Sequence, residues 1–319
     1  MKIADLEIGK SYTLTLVINS ATARETKMKK PFLSVVFFDG IDTITGNYWD
    51  WSTGKIPEVN TVVDVLADVT EWAGAKQLNV KSMKLNETRP LADFAPSTDA
   101  DLSSVFKEAY AMAADIRNDT LRELTVSIYE ELRDRWLTVP GARSVHHAYI
   151  GGTLVHSCSV AKIAKAIAKQ IPDANVDLCV AGALLHDVGK LFTYKLTGVT
   201  IGMTDAGMMY EHLFIGAEFV GNFAESHVDM ENPKTYKIVQ LLRHIILSHH
   251  GLLELGSPVT PMCIEAIVVN RADGIDASAE QIRAAARKLS GNEKWTEKVF
   301  TLNNRQQISP KYIEDLFQV

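Results

Sequence analysis

His186 and Asp187 adjoin in the stretch ALLHDVGK. An imidazole beside a carboxylate can put two ligands on one metal from a single backbone anchor. Neutral imidazole nitrogen together with carboxylate oxygen suits divalent transition metals. A His-Asp dipeptide often arises by chance, and its company is what gives it weight. His156 lies upstream in GGTLVHS and His212 downstream in YEHLFIG; His249 and His250 form a doublet in LSHHG, and Asp273 follows in NRADGIDA. Each stands beside or within an apolar run. Taken alone, His156 reads as a core histidine bonded to a carbonyl. Four such positions with four separate bland explanations are less economical than one shared metal site.

The elements that must position these residues read as helices. From Thr153 to Gln170, His156, Val160, Ile163 and Ile167 fall on one face, so His156 points inward with the apolar stripe. LLHD closes an apolar helix, and Gly189 is expected to end it, with His186 and Asp187 in the last turn. In the helix from Lys237 to His250, His249 and His250 lie three and four residues after Ile246 and flank its buried face. Asp273 follows VVNRA on another apolar helix, where an unpaired carboxylate is costly. From Asp101 to Leu289 nearly everything reads as helical.

The first part of the chain has a different period. Tyr12, Leu14, Leu16 and Ile18 alternate with Thr13, Thr15 and Val17, as in a strand. Further strands are expected over Phe32–Phe38, Ile41–Trp51, Thr61–Trp72 and Gln77–Met83. Five short strands suggest a small barrel, and the OB-fold is a common five-strand solution, with any other small barrel as the alternative. The expected fold class is thus multidomain α and β: an N-terminal five-stranded OB-fold barrel, then an all-α helical bundle. Expected boundaries are 1–88 for the barrel, 89–140 for a Pro-containing linker and leading helices, 141–290 for the metal-binding bundle and 291–319 for a helical tail.

The chain has 319 residues, 46% hydrophobic and 23% charged, with a formal net charge of -6. This is ordinary globular composition, and any basic surface must be local. Cys158, Cys179 and Cys263 are odd in number and widely spaced, which fits reduced thiols and a cytoplasmic location rather than a disulfide framework. The charged start MKIADLEIGK is not expected to be a signal peptide. No apolar run approaches the roughly 18 residues that span a membrane.

The order His156, His186-Asp187, Asp273 resembles the HD-domain superfamily of metal-dependent phosphohydrolases. His212 and the His249-His250 doublet resemble the additional ligands of members with two metals, and Lys190 matches a lysine that follows the pair in many of them. The phrases GGTLVHS, LLHDVGK, LSHHG, GSPVTP and EAIVVNRADGIDA, with YWDWS in the barrel, are similar to those of the YhaM-type 3′-to-5′ exoribonucleases, in which an OB-fold precedes the HD domain. The resemblance implies two divalent transition metals, manganese first, with cobalt, nickel or iron as alternatives. It implies His156, His186, Asp187 and Asp273 around one ion. His212, His249 and His250 go around the other, with Asp187 shared between the two. Asp187 and Lys190 are the expected catalytic residues, Lys190 offsetting charge on the scissile phosphate. Two ions about 3.5–4 Å apart can hold a bridging hydroxide.

On this reading the chain is a phosphodiester hydrolase, a 3′-to-5′ exonuclease on single-stranded RNA, with DNA as a second substrate. One alternative is an HD phosphodiesterase for cyclic or short oligonucleotides, which the lack of a GYP signature lowers. The other is a nucleic-acid-binding protein with a vestigial metal site. OB-folds stack bases on aromatics and track phosphates with cations. Trp49 and Trp51 are expected to share one face of a strand, and Arg24, Lys27, Lys29 and Lys30 to lie in the first inter-strand loop. His146 and His147 are read as lining the substrate entrance. Single-stranded RNA or DNA is the expected partner, with self-association into a homo-oligomer a further possibility and no membrane.

Overall fold

The computed structural model describes residues 2–51, 54–72, 74–143, 147–289 and 293–317. The chain divides into two compact units, residues 1–98 with 196–200 and residues 99–195 with 201–319.

The first unit is a closed barrel of β1 (Ser11–Glu25), β2 (Pro31–Phe38), β3 (Thr43–Tyr48), β4 (Val62–Trp72) and β5 (Ala75–Leu85). Neighbours follow the order β1-β2-β3-β5-β4, with β4 returning to β1. Every pairing is antiparallel except β3 with β5. This closure fits the expected OB-fold. Alternate residues enter the barrel because side chains alternate across a strand; Leu14, Leu16, Ile18, Leu33, Val35, Phe37, Val65 and Val80 build the core. β1 is longer than its sequence pattern suggested. Its first half pairs β4 and its second half pairs β2, with a register shift between Ile18 and Ser20 where the strand changes partner. A bulge of this kind bends a strand and lets it serve both sides of a barrel.

The second unit contains α1 (Leu102–Ala114), α2 (Asp119–Glu131), α3 (Arg133–Thr138), α4 (Gly152–Ala168), α5 (Val176–Leu185) and α6 (Lys190–Thr193). In chain order the hairpin of β6 (Tyr194–Thr197) and β7 (Thr200–Met203) comes next, its residues 196–200 grouping with the first unit, and the second unit continues with α7 (Asp205–His227), α8 (Pro233–Ser248) and α9 (Ile264–Ala286). Starts are marked by side-chain caps: Asp101, Asn118, Asn175, Thr204 and Asn232 each accept a backbone N–H of the first turn. In α5 every residue from Leu178 to Leu185 is buried. A helix apolar all round belongs at the centre of a bundle, and α5 packs on α1, α2, α4, α8 and α9.

Two differences from the sequence pattern concern short strands. The β6–β7 hairpin interrupts the stretch that reads as continuous helix. The tail, expected to be helical, holds the hairpin β8 (Trp295–Val299) and β9 (Arg305–Ile308) before α10 (Pro310–Phe317). Strands of four or five residues are too short for a period of two to stand out. Among the described residues no helix is long and apolar enough to cross a membrane.

Gly46 shows how tightly the barrel is filled. A Cβ there would lie 2.6 Å from the Phe37 ring. Gly46→Ala is expected to lower stability by about 1–3 kcal/mol through overpacking, read from urea unfolding. Combining it with Phe37→Leu should recover part of that loss; equal losses in the single and double variants would contradict the packing argument.

Candidate metal centre

The seven expected ligands arrive from five places in the helical unit. His156 sits in α4 and Asp273 in α9, both in mid-helix. His186 and Asp187 lie in the turn between α5 and α6, and His212 lies in α7. His249 is the C-cap of α8 and His250 follows it. α5 ends at Leu185, ahead of Gly189, where the sequence pattern places the end with His186 and Asp187 in the last turn. Gly189 is right-handed helical, with φ -61° and ψ -27°. It is needed for another reason, since a Cβ there would lie 1.9 Å from the carbonyl oxygen of His212. The turn carrying His186-Asp187 thus rests directly on the backbone of the next ligand. Gly251, at φ +82°, is the left-handed glycine that stops α8 after the doublet.

The structure brings all seven side chains together. Ligand atoms of His156, His186 and Asp187 lie within 4.8 Å of one another; so do those of His186, His249 and Asp273, and those of His212, His249 and His250. His249 therefore joins the last two of these three groups, as His186 joins the first two. Asp187 stands between them. Its Oδ2 lies 3.4 Å from His156 Nε2 and 3.3 Å from His186 Nε2. Its Oδ1 lies 3.5 Å from His212 Nε2 and 3.6 Å from His249 Nε2. His156 Nε2 is also 3.2 Å from Asp273 Oδ1.

The imidazoles present their Nε2 atoms to this space. His186, His249 and His250 use Nδ1 on the carbonyls of Ala183, Ile246 and Leu255, at 2.7, 2.7 and 2.8 Å. A carbonyl can only accept, so each Nδ1 carries the proton and each Nε2 keeps a lone pair. This is how metal-ligating histidines are commonly oriented. Among the described residues, two buried atoms of this cluster, Asp187 Oδ1 and His212 Nε2, have no hydrogen-bond partner. Buried polar atoms are rarely left so, and a cation between them satisfies both. The residues present therefore fit divalent metal ions.

The charges agree. Burial would raise the Asp187 carboxyl, but Lys190 and His186 outweigh it and hold Asp187 well below the usual carboxylate range. Burial pulls His212 down to about 4 and lowers His250, so both are neutral near pH 7. Burial also opposes charge on His156, yet hydrogen bonds to Asp273 and Asp276 raise it to about 9. Three carboxylates, Asp187, Asp273 and Asp276, stand against two cations, Lys190 and the protonated His156, so the cluster is net negative and an ion at His156 Nε2 would take the place of its proton. Lys190 is buried, with Nζ 2.6 Å from Asp187 Oδ2. The centre meets solvent at Asp273 and His250, which are half-buried while the other five ligands are buried.

Sequence reasoning missed Asp276, one turn beyond Asp273 on α9 and buried beside His156. Its signal was the i, i+3 spacing of two aspartates in ADGIDA. His147, read as lining an entrance, is instead buried and bonds Asp276 at 2.9 Å. His146 lies outside the described residues.

On the barrel, Arg24 belongs to β1, opposite Phe32 of β2, and not to a loop. Only Lys27, Lys29 and Lys30 occupy the turn, and Lys30 faces Asp50 at 3.9 Å. β3 ends at Tyr48, so Trp49 and Trp51 do not share a strand face. Trp51 packs against the barrel core, whereas Trp49 is 40% exposed and lies ring to ring with Phe32 at 4.5 Å. Trp72, in the β4–β5 hairpin and 74% exposed, is a further aromatic that the sequence reading passed over.

Residues 153–278 match the HD domain family. The match encloses all seven ligands. Such a domain suggests a metal-dependent phosphohydrolase, and the His/Asp cluster is compatible with metal binding. No solved structure gives a significant match to the chain.

Gly189→Ala is expected to push the His186-Asp187 turn off α7. We expect about 3 kcal/mol of destabilisation, together with weaker divalent-metal binding. Thermal melts with and without manganese measure both; a stable variant with the metal-induced rise in Tm of the parent chain would refute the contact's importance.

Proposed function

We propose that the chain is a metal-dependent phosphodiesterase acting as a 3′-to-5′ exonuclease on single-stranded RNA, with DNA as a second substrate. The carrying observation is Asp187, whose two oxygens face two different sets of imidazole nitrogens. His156, His186, Asp187 and Asp273 would hold one ion. His212, His249 and His250 would hold the other, with Asp187 between. Bound divalent ions supply charge to neutralise phosphate oxygens and activate water, which is what attack on a phosphodiester anion requires. Nitrogen-rich ligation favours manganese, cobalt, nickel or iron over magnesium.

The protein's own groups do the rest. The carbonyls of Ala183, Ile246 and Leu255 keep the imidazoles in one tautomer. Lys190 fixes Asp187 Oδ2 and places a buried positive charge where negative charge grows on the phosphate. Entry is from the side of Asp273 and His250. The similarity of GGTLVHS, LLHDVGK and LSHHG to the YhaM-type exoribonucleases supports a polymeric substrate. So do the exposed Trp49, set against half-buried Phe32, and the lysine-bearing turn of the barrel. Aromatic faces stack bases of any sequence, and lysines track phosphates.

Asp187→Ala is expected to remove hydrolysis of end-labelled RNA with manganese present, while His212→Ala should lose one of two bound ions by elemental analysis. A ladder of shortened products from the 3′ end supports the reading. Intact strands, or cleavage of only a cyclic dinucleotide, would overturn it in favour of a binding protein or a small-substrate phosphodiesterase. Trp49→Ala is expected to weaken binding of a long single strand by about 1–3 kcal/mol without changing turnover of bis-p-nitrophenyl phosphate. Unchanged strand affinity in that variant would remove Trp49 from the interface.

A further inference from the structure

Asp276 lies behind the ligands and touches none of the space they enclose. Its Oδ2 accepts from His156 Nδ1 at 2.7 Å and from His147 Nε2 at 2.9 Å, and its Oδ1 accepts from the Ser159 hydroxyl. His147 in turn bonds the Tyr149 hydroxyl through Nδ1 at 2.7 Å. Considerable structure goes into holding this arrangement. His147 adopts φ +53°, in the left-handed region that side chains avoid. Its carbonyl accepts from Gly141 and Tyr149. A Cβ on Gly152 would fall 2.0 Å from that same carbonyl, so the approach exists only because residue 152 is glycine. His156 also differs from its neighbours: His186, His249 and His250 are oriented by carbonyls, whereas a carboxylate orients His156.

We propose that Asp276 is a positioning residue which, seated by His147 and Ser159, turns His156 Nε2 toward the first ion position and makes that position the tighter of the two. A hydrogen-bonded carboxylate fixes the ring and polarises it toward its ligand nitrogen more strongly than a carbonyl does, and such partners carry about 10–100-fold in metal affinity. Behind the second position, built from His212, His249 and His250, the carboxylate nearest an Nδ1 is the exposed Glu211, 3.6 Å from His212 and so a longer, more solvated partner than Asp276 is to His156. The inference rests on the two-ion reading of the centre.

The test is a manganese titration of the full chain against a chromophoric chelator, with electron paramagnetic resonance to separate single from coupled ions. The wild type should bind two ions of unequal affinity. Asp276→Ala should weaken the tighter ion about 10–100-fold and leave the other. Asp276→Asn keeps one acceptor oxygen for the imidazoles and should restore part of that affinity, which a general loosening of the bundle would not do. Two ions held as in the wild type by a folded Asp276→Ala overturns this inference alone, as does equal loss of both ions. Should Asp276→Ala fail to fold, His147→Gln decides, because it leaves the carboxylate and removes part of its seat. A weakened first ion supports the role, and wild-type affinity for both ions overturns it. A wild-type chain that binds no divalent ion overturns the two-ion reading and this inference together.

Discussion

The helical unit depends on the burial of one carboxylate. Asp187 is 1% exposed, and an ionised carboxylate taken out of water carries a penalty of several kcal/mol unless it is paired and hydrogen-bonded. Lys190 answers for Oδ2, but Oδ1 has no hydrogen bond and faces two imidazole nitrogens at 3.5 and 3.6 Å. With its Nδ1 N–H donated to the Ile246 carbonyl, a neutral His249 offers Oδ1 only a lone pair, and His212 Nε2 lies too far for a good hydrogen bond, so the side chains leave the anion half satisfied. The apolar core of the bundle offsets this cost, and a cation beside Oδ1 would remove it. The neighbouring elements are consistent with that. α5 is apolar all round and fully packed, so the turn after it has no freedom to swing Asp187 out to water. Gly189 presses the turn onto the His212 carbonyl.

Helix ends deliver much of the centre, and the physics of helix ends explains why. The last carbonyls of a helix have no intrahelical N–H. At α5 and α8 these carbonyls accept a hydrogen bond from a histidine three residues on: Ala183 from His186 and Ile246 from His249. One interaction thus satisfies an orphan acceptor and selects the tautomer that leaves Nε2 bare. The C-terminal ends also carry the negative pole of the helix dipole, equivalent to roughly half a charge each. Two of them meet beside three carboxylates. Asn270 completes the end of α8 by donating to the His249 carbonyl at 2.7 Å.

Much of this was legible in the chain. Strand alternation gave the barrel, and the 3.6-residue stripe placed His156 inward before any coordinates. All seven expected ligands converge, because buried polar residues on apolar helices leave a strong imprint on sequence. What sequence could not show was contact between distant segments. Asp276 needed the knowledge that α9 crosses α4, and His147 needed a loop conformation with φ +53° that no periodicity encodes. Gly189 was given the usual task of a glycine after a helix, whereas the structure uses its missing Cβ. On the barrel, the alternation of Trp49, Asp50 and Trp51 mimicked a strand beyond the point where β3 ends. Trp51 went to the core and Trp49 found Phe32, a partner visible only through the β2–β3 pairing of Leu33 with Tyr48.

The two halves of the centre are held by different means, and this asymmetry has a physical origin. His156 is fixed by a hydrogen-bonded carboxylate on a regular helix. His212 has no carbonyl or close carboxylate on Nδ1; Glu211 stands 3.6 Å away, and Nε2 is unpartnered. What holds His212 is backbone. Glu211 adopts φ 58° and ψ 162° inside α7, breaking the helical path just before the ligand. For a residue with a Cβ such a conformation costs on the order of 1–3 kcal/mol and persists only where the surroundings impose it. A regular helix through residue 211 would carry His212 along a different bearing. Strain in the chain thus sets the direction of one expected ligand where a hydrogen bond sets the direction of the other, and a cation engaging His212 Nε2 would offset that strain.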